Sequence, residues 1–458
     1  MLTLAGGAAV SGPGVQIVAN LRGIGSEVVR ATPAALAQLR RDPRVAGLRL
    51  DGPVSPTGGS LAAVNETGAG VFAWQGLGGG AGDADAGHGV TVAVVDTGIT
   101  DTPALNRASG RLVDGVDTSG LLDGPAPGDG GEPVRTEGAF TDGFGHGTFL
   151  ANLLAGGPLT SEGSVSVPSG RGLGVAQAAR VVSVKVADDN GRTSLAAVLA
   201  GLDWVATHRP MDVVSLALAA DRPGDAYGAD PLTAAVRHLR NSGLAVVVAA
   251  GNTAGEVADP GFDPQAITVG AADTTSEAPQ VASFSGSGMV QGVRKPDLVA
   301  PGVRVLSLLP AESWIARNSP LAQLPDGLWR GSGTSQATAV AAGVAAVFLA
   351  DHPYATPARV KAMLRGAAAP MSAWRAGMGL LTVPAGDSPN YRGGVLDQAA
   401  WAASAWDQPG WVEDLNASWS TDVWTAKSWS SNPWSDETWA AKSWSAKSWS
   451  AKSWSAKS

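Results

Sequence analysis

Three residues far apart in this chain are the ones whose types could do chemistry together. Asp96 closes the apolar run T-V-A-V-V-D, His146 lies between two glycines in D-G-F-G-H-G-T, and Ser335 opens an Ala/Val-rich segment in S-G-T-S-Q-A-T. A serine hydroxyl attacks an acyl carbon only when an imidazole takes its proton. The imidazole in turn needs a carboxylate to fix its tautomer and steady the cation that forms. The three groups therefore point to acyl transfer through a serine nucleophile. Asp96 alone reads more readily as a turn residue at a strand end. His146 is harder to explain away, because flanking glycines let a ring reach a cleft and let a helix pack closely, whereas a core histidine sits among bulky apolar neighbours. The remaining histidines, His88, His208, His238 and His352, occupy polar or helical surface contexts and form no H-x-x-x-H pair. They are read as surface residues.

The elements that must hold these groups follow from the apolar pattern. Short Val-rich runs at 90 to 95, 180 to 187, 211 to 218, 244 to 250 and 266 to 271 are bounded by Gly, Asp or Pro, as strands buried on both faces are. Helical segments fall near 193 to 207, 229 to 241, 334 to 350 and 356 to 367. This alternation predicts an α/β fold of three layers with a central, mostly parallel sheet and right-handed crossovers. Sites in such folds lie beyond the carboxyl ends of strands, where Asp96 and Asn252 fall. Ser335, at a predicted helix start, would turn its N–H and the positive helix end toward developing negative charge.

Residues 91 to 99, 143 to 156 and 331 to 346 resemble the three active-site signatures of the subtilisin-like serine proteases, and A-A-G-N at 249 to 252 resembles that family's oxyanion segment. K-P-D-L-V-A-P-G at 295 to 302 and P-G-F-D-P-Q-A-I-T-V-G-A-A at 260 to 272 also resemble family segments. The resemblance covers roughly residues 63 to 405. It implies a serine endopeptidase acting on protein or peptide substrates, with Asp96, His146 and Ser335 catalytic and Asn252 as an oxyanion donor; the plainer reading of Asn252 is a turn residue after Gly251. It also implies an edge strand at Ser215, Leu216 and Ala217 that pairs with peptide, and a first specificity pocket involving Ala250, Gly251 and Ala258. Ala217 stands where the family usually has glycine, and no acidic residue is evident near Ala258, so an apolar or medium-sized P1 residue is expected. Two further departures are Ala339, in place of the family's usual proline, and a long connection from 309 to 330 carrying Trp314 and Trp329. That connection either shapes the primed side of the cleft or packs over it.

Composition excludes other classes. A net charge of −8 leaves no basic domain for a nucleic-acid partner, and the absence of cysteine rules out disulfides and thiolate metal sites. The chemistry requires no cofactor and no metal. The acidic loop from Asp114 to Asp142 leaves a structural calcium ion open, although its carboxylates fit no fixed ligand spacing and a solvated loop is the favoured reading. No uncharged apolar run reaches the length of a membrane span. The first ten residues make a poor secretory signal; an extracellular or cell-surface location is expected from the resemblance alone.

Three regions are expected. Residues 1–62 resemble part of an inhibitory propeptide: V-Q-I-V-A-N-L and V-A-G-L-R-L read as strands, Thr32-Pro33 as a helix start, and Pro53 to Ser60 as a linker. The chain's own pro-region would then act as its inhibitor, the alternative being an N-terminal subdomain that stays attached. Residues 63–405 form the catalytic domain. Residues 406–458 are a low-complexity tail in which Trp recurs every five residues from Trp419 to Trp454, with Lys442, Lys447, Lys452 and Lys457 between. That period matches neither helix nor strand, so an extended or disordered tail is expected, either binding a cell surface or polysaccharide or acting as a spacer. A passive binding or scaffold protein is the rival reading of the whole chain, and the complete set of Asp96, His146, Ser335 and Asn252 argues against it.

Overall fold

The computed structural model describes residues 1–4, 10–56, 86–122, 136, 138–157, 173–208, 210–220, 230–274, 278–323, 327–383 and 394–395. The N-terminal part contains β1 (Leu2–Leu4), β2 (Val15–Leu21), β3 (Ser26–Ala31), α1 (Pro33–Leu39) and β4 (Val45–Leu48), its strands forming an antiparallel sheet in the order β2-β3-β1-β4. Thr32 caps α1 by accepting the Ala35 N–H at 3.3 Å, with Pro33 in the first turn. Two of these strands, β1 and β3, go beyond the pair expected from sequence. Glu27 interrupts the apolar pattern of β3, yet it is fully buried, so the strand does not show the usual alternation.

The segment expected as a linker instead begins with a strand, β5 (Pro53–Pro56); residues 57–60 lie outside the described residues. The larger part follows with β6 (Thr91–Asp96), β7 (Leu112–Asp117), α2 (His146–Ala155), β8 (Arg180–Lys185), β9 (Thr193–Ser194), α3 (Leu195–Thr207), β10 (Val213–Leu216) and β11 (Leu218–Ala220). Next come α4 (Pro231–Asn241), β12 (Ala245–Ala249), β13 (Ile267–Asp273), β14 (Gln280–Val281), the hairpin β15 (Gly288–Val290) and β16 (Val293–Lys295), and β17 (Leu298–Pro301). The described chain continues through β18 (Val305–Ser307), α5 (Trp314–Asn318), β19 (Trp329–Gly331), α6 (Thr334–Asp351) and α7 (Pro357–Gly366).

The central sheet runs β14-β13-β12-β10-β6-β8-β7, with β17 also on β13, and every pairing is parallel except that of β14. This is the expected three-layer α/β arrangement. All six residues of β6 are buried, as are all five of β12, because helices cover both faces. On one face lie α2 and α6, on the other α3 and α4. Full burial of a Leu or Phe side chain contributes about 1.5–3 kcal/mol, so Phe149, Leu150, Leu153 and Leu154 hold α2 firmly against the sheet. Every residue from Thr334 to Val347 in α6 is buried. By length and composition α6 is apolar enough to cross a membrane, but here it is the core helix of the fold.

Candidate active site

Strand β6 delivers Asp96 to the carboxyl edge of the sheet, and α2 begins at His146 directly beside it. Asp96 Oδ1 accepts the Thr97 N–H at 2.8 Å and lies 2.6 Å from His146 Nδ1, both side chains being buried. With Nδ1 bonded to the carboxylate as a donor, Nε2 remains as the ring's acceptor. Glycines make this approach feasible. Gly98 has φ +105°, and a Cβ there would fall 2.1 Å from the Thr141 carbonyl oxygen; a Cβ at Gly147 would fall 2.2 Å from the Gly98 carbonyl oxygen. The Gly147 N–H donates to Thr97 Oγ1 at 2.9 Å, which ties the helix start to the strand end.

Just before α2, Asp142 is enclosed. Its carboxylate accepts from Thr97 Oγ1 (2.8 Å), the Gly145 N–H (2.7 Å), the Thr148 N–H (2.8 Å) and Thr148 Oγ1 (2.7 Å). Burial pushes this carboxyl above its ordinary value, against the pull of those donors.

Ser335 occupies the second position of α6, and its Oγ donates to the Ala217 carbonyl at 3.1 Å. Asn252 is tied to the same helix end. Its Oδ1 accepts both the Thr334 N–H and Thr334 Oγ1 at 2.9 Å, which fixes which end of the amide is oxygen. The buried Nδ2 donor has no hydrogen-bond partner among the described residues. Around it, Ala258 N–H donates to the Ala250 carbonyl at 2.9 Å, Gly286 N–H donates to the Gly251 carbonyl at 2.8 Å, and a Cβ at Gly251 would sit 2.7 Å from that of Ala258. Ala250, Gly251 and Ala258 are thus drawn together beside Asn252.

The edge strand differs from its sequence reading. Ser215 and Leu216 lie inside the central sheet, paired on one side with Val94 and Val95 and on the other with Val247 and Val248. Backbone groups engaged on both sides cannot take a peptide, and the chain leaves the central sheet only after Leu216, forming β11. The sequence run shows no break because Ala217 and Leu218 are as apolar as what precedes them. A second short edge, β9, faces β11. Between them lies β5, antiparallel to both, with Pro56 opposite Leu218, Val54 opposite Ala220 and Val54 opposite Thr193.

The N-terminal part is also bound through charge. Asp51 Oδ1 accepts the Ala196 N–H at 3.1 Å and the Gly52 carbonyl accepts the Leu195 N–H at 3.1 Å, both at the start of α3. Arg49 Nη1 reaches Asp230 at 2.5 Å and also Asp259, whose side chains are fully buried. Burial, then the nearby Asp230, raises the Asp259 carboxyl well above its ordinary value, with Arg49 opposing both. None of this was foreseen in sequence.

Other expectations resolve plainly. His88, His208 and His238 are exposed, and half-buried His352 stacks on Phe348 with ring centroids 4.3 Å apart. The 309–330 connection packs onto the segment preceding His146: Trp314 stacks on Phe144 at 5.4 Å and its N–H donates to the Gly143 carbonyl at 2.7 Å, while Trp329 is buried in β19. Ala339 lies in an unbroken α6. Of the acidic loop, Asp114 and Asp117 bond nearby backbone N–H groups, Asp142 is spent as described, and no group of three or more potential metal-ligating side chains occurs among the described residues. The tail from 406 to 458 lies outside the described residues.

Residues 87–397 match the model of the subtilase family. Serine protease AprX of Bacillus subtilis (strain 168) is 36% identical over 294 residues, 61% of this chain and 61% of AprX. Subtilisin E of the same organism is 31% identical over 306 residues, 65% of this chain and 66% of its own length, and subtilisin of Bacillus pumilus is 31% identical over 65% of this chain and 91% of its own. The chain thus spans about three fifths of AprX and about two thirds of subtilisin E. The crystal structure of a cold adapted subtilisin-like serine proteinase is 27% identical, with a TM-score of 0.48 over 66% of this chain and 90% of that one. With the family model matching well over half of its length, the chain belongs to the subtilase family.

Proposed function

We propose that this chain is a serine endopeptidase that uses Asp96, His146, Ser335 and Asn252. The observation that carries the reading is the 2.6 Å Asp96–His146 contact at the end of β6, together with Ser335, on the helix end to which Asn252 is bound through Thr334, donating to the carbonyl of Ala217 at the end of the neighbouring strand β10. In this reading His146 Nε2 takes the Ser335 proton as Oγ bonds to the scissile carbonyl carbon, and Asp96 steadies the imidazolium. The new oxyanion is met by the Ser335 N–H and Asn252 Nδ2, whose free donor suits a charge that exists only after attack. The C–N bond then breaks as His146 returns the proton to the leaving amine, and water releases the acyl group by the same route.

The N-terminal segment serves as the chain's own inhibitor, so that the enzyme is made as a zymogen. Supporting this, β5 already fills the gap between β9 and β11, and its end at Pro56 runs beside Leu218 toward Ala217, the residue that holds Ser335 Oγ. The first pocket favours an apolar or medium-sized P1 residue, since Ala250, Gly251 and Ala258 offer no partner for a desolvated charge. The chemistry needs no cofactor, and the enzyme acts outside the cell or at its surface.

A fluorophosphonate probe tests the central claim. It should label Ser335 once the N-terminal segment is cleaved off, and Ser335→Ala should lose labelling and peptide hydrolysis together. Failure of the processed wild type to label would sink the proposal, while equal processing of both chains would assign maturation to another protease. In a peptide library the labelled enzyme should cut after Leu, Phe, Met or Ala; a preference for Lys or Arg would overturn the P1 reading.

A further inference from the structure

Asp142 is the buried ionisable group beside the site that triad chemistry leaves without a task. Its residue is only 3% exposed, and four donors fill its two oxygens: Thr97 Oγ1 and the Gly145 N–H on Oδ1, the Thr148 N–H and Oγ1 on Oδ2. Backbone N–H groups only donate. Thr97 Oγ1 also accepts the Gly147 N–H at 2.9 Å and Thr148 Oγ1 also accepts the Thr100 N–H at 3.0 Å, and the arrangement that satisfies every donor sends both hydroxyl protons to Asp142. A proton on the carboxyl would leave this cluster with one O–H donor more than it has acceptors, which favours the anion.

Keeping an anion away from water is costly, and burial pushes this carboxyl upward. Donors from the α2 N-terminus and two threonines hold it ionised. Its connections run to both members of the central pair: Thr97 follows Asp96, and Gly147, which bonds to the same Thr97 hydroxyl, follows His146. The other charges around His146 are few. Asp96 approaches from β6. From the end of β8, Lys185 is held by Asp189 at 2.8 Å and by Thr141. Glu312 and Arg317 belong to the connection packed on Gly143 and Phe144, and Arg107 lies over Phe140 while paired with Asp101. The buried polar residues Ser335 and Gln336 of α6 and Ser215 of β10 carry no charge.

We infer that Asp142 is a positioning residue of the catalytic centre: through Thr97 it fixes the Asp96–His146 geometry, and its permanent charge adds to that of Asp96 when His146 becomes a cation. This rests on the serine-peptidase reading.

Asp142→Asn in the full-length chain is the test, with rates normalised to sites titrated by the fluorophosphonate. The amide keeps the shape, removes the charge and turns an NH2 group toward donors. The expected result is a fall in kcat of about tenfold or more with KM nearly unchanged. The acid limb of kcat/KM should also move to lower pH by about half to one unit, since a unit is a tenfold change in the stability of the cation. An unmoved acid limb overturns the inference. So does a loss of labelled sites alone with normal turnover at those remaining, which would mean that Asp142 only supports folding. If Asp142→Asn does not fold, Thr97→Val removes just the bridging hydroxyl and Thr97→Ser retains it: kcat should drop in the first and recover in the second, and equal kcat in both overturns the inference. A wild type that never labels at Ser335 removes the serine-peptidase reading and this role with it; a labelled wild type with an indifferent Asp142→Asn removes this role only.

Discussion

Helix starts in this molecule come in two kinds. At α1, α3, α4, α5 and α7 the residue before the helix is Thr32, Ser194, Asp230, Ser313 or Thr356, and each turns its own side chain onto an N–H of the first turn. At α2 and α6 that residue is Gly145 or Gly333, with no side chain to do so. These two helices carry His146 and Ser335. A capped end satisfies one N–H from its own sequence, even where, as at α3, Asp51 and Gly52 take two others, whereas a glycine end leaves all of them for other partners. For α2 the partners are Asp142 and Thr97; for α6 the partner is Asn252, which accepts the Thr334 N–H. The difference teaches that helix ends capped by their own preceding side chain are built for stability, and the glycine ends at the site for reach.

Three substitutions probe that contrast. The largest effect should come from Asn252→Ala, which takes away the side-chain donor next to the open end of α6. kcat should fall by about 10²- to 10³-fold, the loss known for the corresponding donor in the subtilisin family, with KM little changed. A fall in KM-controlled binding alone would mean that Asn252 is only the strap of Thr334. Next is Arg49→Met, read in a Ser335→Ala background so that the chain stays intact. Leaving Asp230 and Asp259 buried without their cation should cost about 3–5 kcal/mol at neutral pH. Because the native-state Asp259 carboxyl is raised above its unfolded value, the folded chain binds the extra proton and stability falls as pH rises. Urea melts should therefore show a deficit that shrinks from pH 7.5 to pH 5; an equal deficit at both would refute the socket. The smallest effect belongs to Thr356→Ala at the capped start of α7, about 1 kcal/mol of stability with kcat unaltered. A matching loss of kcat would break the division between the two kinds of helix end.

What could be seen in the sequence follows the range over which each feature is encoded. Asp96, His146, Ser335 and Asn252 were legible because their own neighbours betray them, glycines above all, and the buried strands because Val-rich runs need no partner to be recognised. Asp142 stood in plain view four residues before His146, yet an acid in an Asp-rich loop reads as solvated or metal-binding until its four donors are placed around it. The socket of Arg49 joins residues 181 and 210 positions apart, beyond any local pattern. Prolines at both ends of β5 disguised a strand as a linker. The edge expected at Ser215 and Leu216 moved outward because nothing in a continuous apolar run marks where a chain leaves its sheet.

The place of β5 between β9 and β11 has a kinetic meaning as well as a structural one. A strand joined covalently to the edges it fills meets them at an effective concentration of the order of millimolar, whatever the amount of protein in solution. A free peptide must outbid that figure to enter the gap, and dilution does nothing to help it. Were the chain cut between Pro56 and Ala86, the same contact would become a bimolecular one. Occupancy then depends on how much of the severed strand is present, so the molecule would respond to its own dilution after the cut and be blind to it before.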